Sequence, residues 1–386
     1  MAEWKECLLS DLGTVVGGAT PSTKNPSNYE GGTISWITPK DLADFRGRYI
    51  ARGERMITEA GLSSCSTQLM PTHSVLFSSR APIGYVAIAS NELCTNQGFK
   101  SIVPNTETDY LFLYYLLKYY KDAIENLGSG TTFKEVSGAT MRNVKVKVPV
   151  SLTEQRKIAS VLGSIDDKIE ENERINNNLA EQIQAIYSNE FDTGTHTPSG
   201  VLADICKYSS DRIPVSELSV STYYSTENMQ PNKTGSIDAT SLPSIAQTTR
   251  CHKGDILISN IRPYFKKIVY VTSNGCGCST DVLCFVPKEE RYSAYLFGTL
   301  YMDRFFDYMV AGSKGTKMPR GDKQQIMNYP VVLPSKESLD LFNGIAAPML
   351  NQISSNRIEN ARLAALRDTL LPRLMSGDLD VSAIAL

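Results

Sequence analysis

Long apolar runs are scarce in this chain. Across its 386 residues no stretch approaches the roughly 20 consecutive apolar residues that span a bilayer, so no membrane crossing is expected. The opening MAEWKECLLSDLG has no basic segment leading into an apolar one, which argues against a secretory leader. Eight cysteines occur without regular spacing, the mark of reduced thiols in a cytoplasmic protein rather than of a disulfide framework. Only three histidines, His73, His196 and His252, are on hand for acid–base chemistry. There is no GxxxxGK phosphate loop, no GxSxG elbow, and no glycine loop coupled to an NPPY-type pocket. A translocating ATPase, an elbow-type hydrolase and a base methyltransferase acting alone are thereby set aside. Cys251, His252 and the run NGCGCSTDVLC (274–284) form a zinc-like grouping, yet Cys-x-Cys is not zinc-finger spacing. The expectation is a chain with no catalytic residue, no metal and no cofactor.

Net charge is small too, at −2, but it is unevenly spread. Residues 1–150 carry 15 basic and 14 acidic side chains, and residues 191–334 carry 15 and 13. Residues 151–190 carry 4 and 8, and residues 335–386 carry 5 and 6. Acid therefore gathers on segments with helical patterning, and base gathers locally at Arg46 to Arg55, Arg250 to Lys267 and Lys314 to Lys323. Local fields govern phosphate attraction more than the whole-chain sum, so net acidity does not exclude nucleic acid.

What the chain does have, it has twice. CTNQGFKSIVPN (94–105) resembles CSTDVLCFVPK (278–288), with Cys94 and Cys278 separated by 184 positions. GSGTTFKEVSG (128–138) resembles GSKGTKMPRGD (312–322) at the same offset, and VLFSSRAPIGYVAI (75–88) resembles ILISNIRPYFKKIVYV (256–271). LSDLG (9–13) matches LADIC (202–206) at a larger one. Each half reads as short strands, then an aromatic-rich helical stretch, a Gly-Ser loop and a last strand. Pro149 and Pro334 mark the exits into long helices. Ser151 and Glu154 have capping-box spacing at the first exit, and Gly194 and Gly377 sit where the helices should stop.

The first helix steps through Ile158, Leu162, Ile165 and Ile169, then Asn172 and Asn176, then Leu179, Ile183 and Ile186. Adding 184 gives Phe342, Ala346, Met349, Ile353, Asn356, Asn360, Leu363, Arg367 and Leu370, so both helices carry two amides at one heptad phase. At 1.5 Å per residue the first helix spans roughly 60 Å. A twofold axis exchanges the related halves only if the helices run antiparallel, which sets Asn172 beside Asn360 and Asn176 beside Asn356. Buried amides penalise any register that faces them with aliphatic side chains, so these four are candidate register residues. Two similar heads on such a rod suit a target with two half-sites.

The opening WKECLLSDLGTVVGGATPSTKNPSNYEGGTISWITPKDL, the exit VPVSLTEQRKIASVL and the closing LAALRDTLLPRLMSGDLDV together resemble the specificity subunit of type I restriction–modification systems, over nearly the whole chain. The resemblance implies an α+β fold: two similar β-rich target recognition domains joined by two long helices in an antiparallel coiled coil. It implies domains at 1–150 and 192–334, a spacer helix at 151–191, and a second at 335–386 with the tail. It implies a noncatalytic protein whose partners are double-stranded DNA, two modification (methyltransferase) subunits and restriction (motor-nuclease) subunits. Each domain then reads one half of a bipartite site while the helices set the gap and dock the modification subunits, with Glu154 and Gln155 as partner contacts. The second exit, LPSKESLDLFNGIAAPML, lacks that Glu-Gln pair. The alternatives are an enzyme with an unrecognised site and a protein-binding adaptor or inactive decoy chain.

DNA contacts call for cations, hydroxyls and free amides at phosphates, and Arg, Lys, Asn or Gln at base edges. The Gly-Ser loops supply Ser129, Thr131, Thr132 and Lys134, then Ser313, Lys314, Thr316, Lys317 and Arg320. For base edges the candidates are Arg80, Asn96 and Gln97, and in the second half Asn260, Arg262, Lys266 and Lys267. Lys40, Arg46, Arg48 and Arg52 form a further basic patch. Trp36, Tyr223 and Tyr224 are expected in cores rather than on bases. The pair Asp166 and Asp167 is expected on a solvated acidic helix face.

Overall fold

The structure, a computed structural model, describes residues 3–43, 45–130, 134–192, 194 and 196–381. Its contacts divide the chain into two compact units, Met1–Glu170 with Arg362–Leu386, and Glu171–Ala361.

In the first unit a five-stranded sheet runs in the order Gly13–Gly17, Lys100–Pro104, Val75–Ser79, Ile83–Ala89, Tyr49–Ile50. A three-stranded sheet joins Met56–Ile57, Ile34–Ile37 and Cys94–Thr95, the last two in parallel with Trp36 opposite Cys94. Trp4–Leu8 pairs antiparallel with Lys145–Pro149, closing the globular region on its own exit strand. The aromatic stretch forms two helices, Tyr110–Tyr119 and Lys121–Asn126, started by the Asp109 carboxylate accepting from the Phe112 amide. Leu113, Leu116 and Leu117 bury the inner face of the longer helix on Val75, Phe77 and Ile88.

The second unit repeats the plan. Its main sheet runs Cys206–Tyr208, Val282–Pro287, Ile256–Ser259, Ile268–Tyr270, strand for strand the first sheet without its last member. Tyr223–Tyr224 and Cys276–Cys278 again pair in parallel, with Tyr224 opposite Cys278. The aromatic stretch again divides, into Ser293–Tyr301 and Asp303–Ala311. Even the loosest match is structural. The short helices Leu9–Leu12 and Leu202–Ile205 are each entered through an aspartate, Asp11 or Asp204, that accepts from the amide three residues earlier at 2.8 Å.

Two helices outlast all others, Leu152–Phe191 and Lys336–Ser376. In the first unit Ile158 and Leu162 share a core with Leu374 and Met375. In the second, Ile183, Tyr187 and Phe191 share one with Leu339, Phe342, Ala346, Leu350 and Ile353. Low numbers on one helix meet high numbers on the other in each unit, so the pair is antiparallel. The Asn172 amide donates to Asn360 Oδ1 at 2.8 Å and to Glu359 at 2.7 Å. Asn356 donates to Asn176 Oδ1 at 2.9 Å and accepts from Gln352 at 2.7 Å. Asn172, Asn176 and Asn356 are buried, and each finds an amide partner that an aliphatic neighbour cannot supply.

One expectation about the helices needs correcting. Asp166 is buried, not solvated: it accepts from the Tyr115 hydroxyl at 2.6 Å and from Arg367 at 2.7 Å. Arg367, the departure from the apolar seam, is therefore the partner of a buried acid. Asp167 pairs with Arg48. Trp36 and Tyr223 are buried, as expected.

Candidate DNA interface

In each unit a glycine-containing hairpin is pinned to the end of a central strand. In the first, Ser129 and Glu135 exchange backbone hydrogen bonds of 3.0 and 2.9 Å. The Val136 amide donates to the Ser79 carbonyl at 2.9 Å, and the Ser79 amide donates to the Gly98 carbonyl at 2.7 Å. These bonds draw Arg80, Asn96, Gln97, Ser129 and Lys134 to one edge. Gln97 is exposed and bonds the Thr20 hydroxyl, and Asn96 Oδ1 accepts from the Gly98 amide. Glu135 lies 3.6 Å from Arg80 and 3.5 Å from Lys100. Thr131 and Thr132 lie outside the described residues.

The second unit builds the same device from different side chains. Lys314 and Arg320 exchange backbone bonds of 2.9 and 3.0 Å, the Arg262 amide donates to the Pro319 carbonyl at 2.8 Å, and Ile261 bridges Arg320. Gly130 and Gly315, one in each hairpin, have φ of 129° and 101°, a backbone state that costs glycine nothing. Lys314 pairs with Asp322 at 2.7 Å and Arg320 with Asp281 at 2.9 Å. Ser313 donates to the Val310 carbonyl, while Thr316 and Lys317 stand exposed at the loop tip.

Several predicted contacts belong elsewhere. Arg48 is buried and donates to Glu170 at 2.9 Å, to Asp167 and to the Gly163 carbonyl, clamping the globular region onto the first long helix. Burial works against its charge, yet the hydrogen bonds of Glu170 and Asp167 hold its pKa above the ordinary arginine value. Gln155 is buried as well: its Oε1 accepts from the Asp109 amide at 3.0 Å and its Nε2 faces the carbonyls of Glu107 and Pro149. Its bonds anchor the helix start, whereas Glu154 beside it is half-buried. Asn260, a candidate base reader, is buried, and its Oδ1 has no hydrogen-bond partner.

Lys266 and Lys233 both reach Asp303 at 2.8 Å and hold its carboxyl below the usual range. Lys267 donates to the Thr226 carbonyl at 2.6 Å, and burial lowers its pKa. The basic patch is dispersed: Lys40 pairs with Glu54 at 2.6 Å, Arg46 lines a cavity of about 280 Å³ with Lys118 and Lys121, and Arg52 is exposed. Lys100, Thr20 and Lys233 join these clusters through pairing remote in sequence, with Glu135, Gln97 and Asp303 respectively. Among the described residues no group of histidines, cysteines and acids is arranged to hold a metal ion. No described helix is long and apolar enough to cross a membrane.

Comparison with known proteins agrees with this architecture. Residues 1–181 match the type I restriction modification DNA specificity domain. The MjaIX type I restriction enzyme specificity subunit of Methanocaldococcus jannaschii is 31% identical over 426 residues, covering 99% of this chain and 95% of that protein. The HindI specificity subunit of Haemophilus influenzae is 28% identical over 181 residues, 45% of this chain and 38% of its own. In fold, the crystal structure of a type I restriction–modification S subunit from M. genitalium superposes with a TM-score of 0.61 at 16% identity, covering 97% of this chain and 96% of that one. The two units share one strand plan, and the two long helices run antiparallel. The chain belongs to the family of type I restriction–modification specificity subunits, the noncatalytic members that give such complexes their DNA target.

Proposed function

We propose that each globular region reads one half of a bipartite duplex site, residues 1–150 one half and residues 192–334 the other. The helical segments 151–191 and 335–386 set the nonspecific gap and dock two modification subunits, with motor-nuclease subunits joining the assembly in the cytoplasm. The observation that carries this reading is the matched hairpin, Ser129 to Glu135 and Lys314 to Arg320, pinned to equivalent strand ends in two units. Exposed Lys134 and Lys317 at these loops suit phosphates, and Arg80, Gln97 and Arg262 lie beside them for base edges. The paired amides of Asn172 with Asn360 and Asn176 with Asn356 suit a ruler that must keep one register.

Methylation-sensitive sequencing of a host carrying this chain and its modification subunit tests the reading. Exchanging residues 1–150 for those of another family member changes one half-site only. Inserting whole heptads in both helices lengthens the gap and leaves both half-sites alone. Half-sites that change with helix length would overturn the ruler, and a single contiguous site would overturn the division of reading.

A further inference from the structure

The two units differ at the connection beside the hairpin. In the first, three residues join Val75–Ser79 to Ile83–Ala89; in the second, eight join Ile256–Ser259 to Ile268–Tyr270. Both connections pass through a left-handed residue before a proline, Ala81 at φ 48° and Arg262 at φ 50°. The longer one then projects Pro263–Phe265 and turns back through Lys266, also left-handed at φ 52°. Two such residues without a glycine cost energy and persist only where the surroundings impose them. Here they do. The Asn232 amide donates to the Phe265 carbonyl at 2.8 Å, the Lys233 amide donates to the Lys266 carbonyl at 2.9 Å, and the Lys266 ammonium holds Asp303.

The product of this bracing is an apolar tip turned to solvent. Tyr264 is 49% exposed and Phe265 39%, their rings 4.7 Å apart, and Met318 in the adjoining hairpin is 51% exposed. Arg262 and Lys267 flank the tip, and Lys317 stands one residue from Met318. A rigid pair of rings ringed by cations fits a surface that offers phosphates outside and flat apolar faces within.

We propose that Tyr264 and Phe265 form a wedge that enters an opened base step of duplex DNA, so that the second unit reads its half-site partly through the ease of unstacking that step. Apolar side chains inserted between base pairs kink the duplex, and the cost depends on the step opened. The first unit, with Arg80-Ala81-Pro82 at the same place, reads its half without a wedge. This inference rests on the reading of two half-sites above.

The test uses the full chain assembled with its modification subunits and duplexes carrying 2-aminopurine, which brightens when its neighbours unstack, at successive positions of both half-sites. Beyond the flipped base that a modification subunit produces in each half-site, an added brightening is expected at one step of the half-site read by residues 192–334 and at none in the other. The Tyr264→Ala/Phe265→Ala double variant loses the added brightening and about tenfold in affinity, while Tyr264→Phe keeps both. The pinning bonds of the tip are main-chain, so the double variant retains its fold. Added brightening that is absent, equal in both half-sites or unchanged in the double variant overturns the wedge. If methylation of the bipartite site persists in that case, only the wedge falls; if no bipartite site is methylated, the functional reading falls with it.

Discussion

At the base of its hairpin the first unit places Glu135, between Arg80 and Lys100, where the second places Arg320, paired with Asp281. At the start of a central strand the first buries Ser74 and the second Asp255, and both accept at their carbonyl from the returning strand. On the flank, Arg48 reaches from the first globular region to the helix, while in the second Arg304 holds Asp192 at the helix end. The backbone plan is shared and the charges are not. Main-chain pairing tolerates many side chains, so a duplicated fold survives while its ion pairs and its tips diverge.

The sharpest contrast lies in the two arginine clamps. Arg48 has a side chain only 5% exposed and three partners, and removing it leaves Glu170 and Asp167 without a counter-charge. Arg48→Ala should cost the first unit about 2 kcal/mol, from the lost charge-assisted hydrogen bonds, because the carboxylates left behind reach solvent. Arg304 is 39% exposed, and Arg304→Ala should cost the second unit about 1 kcal/mol or less. Both tryptophans, Trp4 and Trp36, lie in the first unit, so denaturant unfolding followed by tryptophan fluorescence reports that unit selectively. Arg48→Ala should move this transition and Arg304→Ala should not. Equal shifts would mean the two units unfold together.

The seam asparagines test whether the halves remain equivalent where the helices meet. Asn172→Leu and Asn356→Leu should each cost about 1 to 2 kcal/mol, because each strands a partner amide against an aliphatic chain. The pair Asn172→Leu/Asn360→Leu should recover most of that loss while weakening the preference for one register. Denaturant midpoints measure the first effect, and disulfide trapping between cysteines placed on the two helices measures the second.

These amides were legible beforehand because heptad phase and a 184-residue repeat are both local patterns, readable without knowing what packs on what. The β-rich halves, the hairpin loops and the helix pair were legible for the same reason. Which cation faces outward was not. Arg46, Arg48 and Arg52 read alike in sequence, yet Arg48 meets an acidic helix 115 to 122 positions away, Arg46 lines a cavity and Arg52 is exposed. Gln155, expected as a partner contact, and Asn260, expected at a base edge, are both buried, because burial depends on segments that close over them from elsewhere in the chain. Asp166 was misjudged in the same way: its partners, Tyr115 and Arg367, lie 51 and 201 positions off.

Asp255 should give the second unit a pH dependence that the first lacks. Burial, with Cys284 adding, pushes its carboxyl up to about 7 from the ordinary 3.8. The folded state therefore keeps a proton that the unfolded chain releases near pH 4, so stability present below about pH 4 drains away as pH rises to about 7. Asp255→Asn should flatten that slope and stabilise the second unit at pH 8 by about 1 to 2 kcal/mol. Hydrogen exchange at Ile256–Ser259 reads the second unit, and the matching amides of Val75–Ser79 serve as the flat control.

The smallest effect carries the clearest sign. If both hairpins face phosphates, their inverted base charges must act in opposite directions. Glu135→Gln removes a carboxylate and releases Arg80 and Lys100 from it, so DNA affinity of the assembled complex should rise by about threefold. Arg320→Gln removes a cation and leaves Asp281 unpaired, so affinity should fall by about threefold to tenfold, with the slope of log affinity against log salt shallower by about 1. Titrations at two salt concentrations with one cognate duplex measure both. Changes of the same sign would show that one hairpin faces away from DNA, and the half-site it serves would then have to be read from another edge of its sheet.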